Sequence, residues 1–164
     1  MSVEFHVEGL DKLEKDLREA GKKSPEAVRQ AMRYSLQLLA RQAKLNAPVD
    51  MGILRGSIGD EAKQGILEVK GLGAEIVGKV GSRVVYALPQ EIGRQPGKMP
   101  PPAALEEWAG RHGMAGMGFV IARAIGRRGM KGRHYLENAA KDKAGEVVEL
   151  FRRKLDELLR GVNL

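Results

Sequence analysis

The sequence predicts an α+β fold: a small antiparallel sheet of three to four strands packed against long N-terminal and C-terminal helices. Three observations carry this. Apolar residues recur at helical spacing in two long stretches near the ends of the chain, and they alternate with polar residues in short stretches elsewhere. Seventeen of the 21 glycines lie between residues 52 and 132, so helical ends flank a loop-rich middle. At 164 residues and 17.9 kDa, a single domain over 1–164 is expected.

Val3, Phe5 and Val7 alternate with Glu4, His6 and Glu8, the period-two pattern of a half-buried strand, which Gly9 ends. Leu10, Leu13, Leu17 and Ala20 then mark a short amphipathic helix, with Asp11 placed to cap it and Gly21 to stop it. Ser24-Pro25-Glu26 has the form of an N-cap followed by proline at the first helical position. It opens a long helix whose apolar face is Val28, Ala31, Met32, Ser35, Leu36, Leu39 and Ala43, and Pro48 forces an end around Leu45 or Asn46. Strands are expected over 65–70, 74–80 and 84–88, as an antiparallel meander with Gly81-Ser82 as a tight connection and Pro89 closing the last strand. The prolines of 89–102 exclude helix and central strand there and predict a loop or an arm. Short helices follow over 103–111, around Trp108, and over 119–127, joined by a link rich in glycine and methionine. A long helix over 135–159 closes the pattern through Leu136, Ala139 or Ala140, Val147, Leu150, Phe151, Leu155, Leu158 and Leu159, with Gly145 as its expected weak point.

Composition excludes several function classes. With no cysteine there is no disulfide, thiolate nucleophile, iron–sulfur ligation or cysteine-held zinc. No apolar run approaches the ~18 residues that a spanning helix needs, and residues 1–30 hold no apolar signal-peptide stretch, so folding in the cytoplasm with no membrane partner is expected. The spacing Gly73 to Gly78-Lys79 imitates a phosphate loop but is followed by Val80 instead of Ser or Thr, in a strand-like stretch with no helix after it. His6, His112 and His134 have no metal-ligand spacing, and the neighbours Glu106 and Glu107 diverge by ~100° on a helix. No acid, base, nucleophile or metal set converges, so neither an enzyme nor a cofactor is expected.

Charge is more informative. Lysine plus arginine number 28 against 21 acidic residues, a net +7, and the pI is near 9.8. No acidic residue lies between Glu107 and Glu137, an interval that holds Arg111, Arg123, Arg127, Arg128, Lys131 and Arg133. Without those six the chain is nearly neutral. Arg123 and Arg127 share a helix face, and Gly126, Gly129 and Gly132 are expected to keep the neighbouring backbone adaptable. This segment is a candidate contact for a protein partner or for DNA phosphates. Only Tyr135 accompanies the arginines, so a base-stacking platform is not supported.

The junction Ala47-Pro48-Val49-Asp50-Met51-Gly52-Ile53-Leu54-Arg55-Gly56-Ser57-Ile58 makes sense as a fixed corner. Pro48 stops the helix, Asp50 can cap the next turn, and Leu54 and Ile58 point to the core. This segment resembles the signature of the gene-ten-like head–tail connector, neck or tail-completion proteins of long-tailed phages. Pro48, Gly52, Leu54, Ser57 and Ile58 carry the corner. Tyr86 followed by Glu91-Ile92-Gly93 matches a second family feature, and His134-Tyr135 stands where the family has Pro-Phe before its last helix. The resemblance makes 1–93 and 133–164 the family-type core, with 94–132 a basic insertion rich in glycine and proline that contains the short helices.

The resemblance implies a structural virion protein at the head–tail junction, present in the host cytoplasm during assembly. It would form a homo-oligomeric ring between a head-closure protein and a tail terminator or tail-tube protein, with possible phosphate contacts to DNA in the channel. Asp50, Arg55 and Glu91 are candidates for a stabilising polar cluster, with Arg55 pairing to Glu91. Residues 96–102 and 114–131 are candidates for contacts between subunits or rings. The competing reading is a DNA-binding protein that uses Arg123 to Arg133.

Overall fold

The computed structural model describes residues 2–4, 25–71 and 76–161. The class is α+β: the described residues form six α-helices, a three-stranded antiparallel sheet and a two-stranded ribbon. The helix expected over 10–20, the cap at Ser24, and Phe5 and Val7 lie outside the described residues. The chain divides into two compact units, Met1–Ala87 with Tyr135–Leu164, and Leu88–His134.

In the first unit, α1 spans Pro25–Asn46 and buries Ala27, Val28, Ala31, Ser35, Leu36, Leu39, Ala40 and Ala43. These positions recur every three or four residues, so they form one stripe. The C-terminal helix α6, Tyr135–Gly161, runs antiparallel beside it. Near one end of the pair Asn46 Nδ2 donates to Tyr135 O at 3.5 Å, in the middle Ser35 Oγ donates to Val147 O at 3.3 Å, and at the other end Ala27, Val28 and Ala31 pack on Phe151 and Leu155. Each fully buried large side chain contributes roughly 1.5–3 kcal/mol through removal from water. Gly145 does not interrupt α6; it is exposed, helical, and has open space where a Cβ would stand. Gly145→Ala is therefore expected to stabilise the protein by about 0.5–1 kcal/mol, read as a rise in Tm of a few degrees.

The sheet lies against α1. Strands β2 (Gly65–Lys70) and β3 (Val77–Ser82) pair antiparallel with Leu67 opposite Val80, and β1 (Ser2–Glu4) pairs on the other side of β3 with Val3 opposite Val80. The order is β1-β3-β2, so the sheet is not a meander of three consecutive strands. A Cβ on Gly78 would stand 2.9 Å from Leu36 Cδ2 and 3.1 Å from Met32 Sδ, which explains a glycine inside a strand: the helix sits too close for a side chain. At the sheet's edge Arg83 donates to Gly65 O and pairs with Glu68 at 2.9 Å, while Lys70 pairs with Glu68 at 3.0 Å. The Lys70 hydrogen bond and charge hold the Glu68 carboxyl below its ordinary value.

The strand expected over 84–88 is absent. Ser82 ends β3, its Oγ accepting from Val84 N–H at 3.1 Å, and Ala87 N–H closes a turn on Val84 O at 2.9 Å. Helix α3, Ala87–Ile92, follows. Pro89 does not close a strand; it occupies the first turn of this helix, where a missing N–H costs no intrahelical bond. The run of apolar residues from Val84 to Leu88 therefore reflects a turn entering a helix, with Val85 93% exposed and Ala87 fully buried.

The second unit begins within α3 and is closed at its base by a ribbon. Strands β4 (Gly93–Arg94) and β5 (Met130–Lys131) pair antiparallel, with Gly93 opposite Lys131 and Arg94 opposite Met130. Beyond the ribbon, Arg133 N–H donates to Gln90 O at 2.7 Å and His134 N–H to Glu91 O at 2.9 Å, which satisfies carbonyls at the end of α3. Between the strands, α4 (Pro102–Arg111) and α5 (Gly118–Arg128) form a helical hairpin. Ala109 and Ala122 are fully buried in it, and small residues let two helices approach closely. Glu106 on α4 supplies the cap that α5 lacks in its own sequence. Its carboxylate accepts from Gly116 N–H and from Gly118 N–H, the latter at 2.7 Å, and the negative charge suits a helix N-terminus.

The glycines expected to keep this region adaptable stand at close approaches of the backbone. Gly129 has φ +74, and a Cβ there would lie 2.3 Å from Arg94 O; on Gly132 it would lie 2.3 Å from Glu91 O. Gly126 lies 3.3 Å from Met99 Cα by the same measure. They are glycines because backbone packs directly on backbone.

Candidate functional site

Two sets of residues stand out, one on each unit. On the first unit, the corner after α1 is built by the segment 47–58. Asn46 ends the helix two residues before Pro48, and α2, Ile53–Ser57, starts from Gly52 at φ +76, a conformation that favours glycine. The corner is anchored from inside. Leu54 and Ile58 are buried in the main hydrophobic cluster with Leu39, Ala43 and Val80. Ser57 Oγ lies 2.8 Å from Leu54 O and 2.7 Å from Ser82 Oγ, which ties the corner to the end of β3 with both buried serine hydroxyls hydrogen-bonded. Tyr135, the first residue of α6, is also fully buried in this cluster.

The outer side of the same corner is apolar. Leu45, Val49, Met51 and Ile53 are all more than half exposed, within nine residues of chain. Single exposed hydrophobes need no explanation, but a run of four on one corner makes it a candidate contact surface. Asp50 and Arg55 are exposed beside them, and Pro48 is half-buried. Glu91, on the second unit, is buried at 1% exposure. Tyr86 lies exposed in the turn before α3 instead of at a strand end, and Gly93, at φ +79, opens the ribbon.

On the second unit, all six candidate cations are exposed. Arg111 ends α4, Arg123, Arg127 and Arg128 lie on α5, Lys131 is in β5, and Arg133 follows it. This unit holds eight basic and three acidic residues. Beside the arginines, Phe119 and Val120 are exposed on α5, and Met114 and Met117 are exposed in the turn before it. The sequence carries a signal for this that the spacing of apolar residues does not show: the small residues Gly118, Ala122 and Gly126 recur every four residues. Small residues on that stripe turn the large apolar ones outward.

The corner also lies inside the part of the chain that matches a known family. The family model described as "Bacteriophage HK97-gp10, putative tail-component" matches residues 11–93, half of the chain. The chain belongs to this family. The match ends at Gly93, the first residue of the ribbon, so it stops where the chain enters the basic segment. Helices α4 to α6 lie beyond it. No curated protein and no solved structure matches the chain.

Proposed function

We propose that the protein is a structural component of the phage virion at the head–tail junction, a neck or tail-completion protein that joins the head-closure ring to the tail tube without catalysis. The family match over residues 11–93, with the Ala47–Ile58 corner inside it, is the observation that carries this reading. The apolar outer side of that corner supports it. A small protomer that closes into a ring needs a heterologous interface, and Leu45, Val49, Met51 and Ile53 supply apolar contact area at a position fixed by the core. In this reading Asp50, Arg55 and Glu91 are polar groups that stabilise the protomer, and the partners are further copies of the chain, a head-closure protein and a tail terminator or tail-tube protein.

The test is mass by light scattering together with electron microscopy, on the purified protein alone and mixed with the tail-tube protein of the same phage. A discrete ring, or a stable complex with the virion protein that ignores added DNA, is the expected result. A monomer that ignored virion proteins and bound duplex DNA with nanomolar affinity and a steep salt dependence would establish the DNA-binding reading instead.

A further inference from the structure

We propose that the outward face of α5 is a docking surface for an acidic, amphipathic segment of a partner protein. The inference does not depend on where in the virion the protein sits, because it rests on the face's own chemistry. Successive residues of an α-helix are ~100° apart. On that geometry Phe119, Arg123, Arg127 and Val120 fall, in angular order, within an arc of about 100°. All four are exposed, with Phe119 at 55% and Val120 at 51%, while Gly118 and Ala122 on the opposite side are buried. The face is graded along its length. Its N-terminal end is apolar, and its C-terminal end is cationic.

Charge selects the occupant's sign. The unit has eight basic residues against three acidic ones, and among the described residues no ion pair engages Arg123 or Arg127 on this face. Glu91 is buried, Glu106 points its carboxylate at the Gly116 and Gly118 amides, and Glu107 lies on α4. An acidic partner is therefore favoured.

The apolar residues select its class. Phosphates are held by cations and amides, and Phe119 and Val120 would gain nothing from a DNA backbone. An aromatic anchor next to two arginines is instead the composition of a protein–protein hot spot, where apolar burial and charge-assisted bonds act together. A partner helix or strand with apolar residues on one side and Asp or Glu along its flank satisfies both ends of the face.

The experiment uses the full chain and two probes: a synthetic amphipathic peptide with a leucine stripe flanked by glutamates, and a DNA duplex. Two double variants separate the contributions, Phe119→Ser with Val120→Ser, and Arg123→Gln with Arg127→Gln. All four side chains are exposed, so the variants keep the fold, and an unchanged thermal melt verifies this. Wild-type protein is expected to bind the peptide, and each double variant to lose at least about tenfold in affinity. A peptide of the same composition with its leucines scattered is expected to lose a similar factor. Peptide binding unaffected by the Phe119 and Val120 changes would overturn the proposal, since only charge would then be read. So would absence of peptide binding, or tighter binding of the duplex that falls with the arginine variant alone.

Discussion

Gly129→Ala is expected to open the 88–134 unit while leaving the first unit folded. Gly129 follows α5 at φ +74 and ψ −164, a backbone region that is in practice reserved for glycine and costs roughly 1–3 kcal/mol for other residues. A Cβ there would also stand 2.3 Å from Arg94 O and 3.1 Å from the Pro96 ring, so relief requires moving backbone. The neighbourhood has no slack to give. Across the ribbon, a Cβ on Gly93 would lie 2.3 Å from Met130 O, and one on Gly132 would lie 2.3 Å from Glu91 O. The ribbon itself pairs only two residues from each strand, so losing this close approach removes most of what holds the base together. The measurement is amide hydrogen exchange with limited proteolysis. Protection of α4 and α5 should fall by at least about tenfold, the factor for each 1.4 kcal/mol of local stability lost. The first unit should keep its melt, because the two hydrophobic clusters found among the described residues draw only on 27–87 and 135–159. Gly110→Ala is the control: a helical glycine of α4 with open space where a Cβ would stand, it should leave exchange unchanged or slower. Unchanged protection in Gly129→Ala would show that the base of the unit is not set by backbone packing.

The same glycines show what was legible in the sequence. Their concentration in the middle of the chain is plain, but a glycine reads identically whether it frees the backbone or lets two backbones touch. Only the neighbours decide, and those at Gly129 and Gly132 are some 35 to 40 residues away in sequence. The long helices were legible because a 3.6-residue period repeated over six or more turns outweighs local exceptions. Pro48 marks the end of α1 at Asn46, two residues earlier, and the sustained period carries α6 through Gly145. The helical hairpin was legible to within a residue or two because Pro102, Gly118 and Gly129 punctuate it. Short elements were not. Val84 to Leu88 carries strand-forming residues, yet a serine hydroxyl and a single turn redirect it into α3. Two-residue strands such as β4 and β5 have no period to read. The strand order was hidden too, because pairing β1 with β3 is a contact across more than seventy residues.

For the candidate sites, charge was legible and apolar exposure was not. Arg123 and Arg127 had to be near the surface for want of acids to pair with in their own segment. Whether Phe119 and Val120 face in or out depends on which arc of α5 meets α4, and the small-residue stripe decides that only once the hairpin is known.

The corner after α1 divides its signature residues between two tasks, and a pair of substitutions separates them. Ile58 is fully buried among Leu54, Leu67 and Val80, whereas Ile53, five residues earlier, is 53% exposed. Ile58→Ala removes buried carbon from a site enclosed by α1, the sheet and α2, and such truncations cost about 2–5 kcal/mol, depending on how far the surroundings collapse. For a domain whose whole stability is typically about 5–15 kcal/mol, that is a large fraction, and a fall in Tm on the order of 10 °C is expected. Ile53→Ser removes no core contact and should change stability by no more than about 0.5 kcal/mol. If the outer side of the corner joins one protomer to the next, this second variant is the one that lowers the assembled mass in light scattering, at an unchanged Tm. Equal loss of stability in both variants would mean that the corner serves the protomer's core alone. An unchanged mass with Ile53→Ser, combined with Met51→Ser, would place the ring contact elsewhere on the molecule.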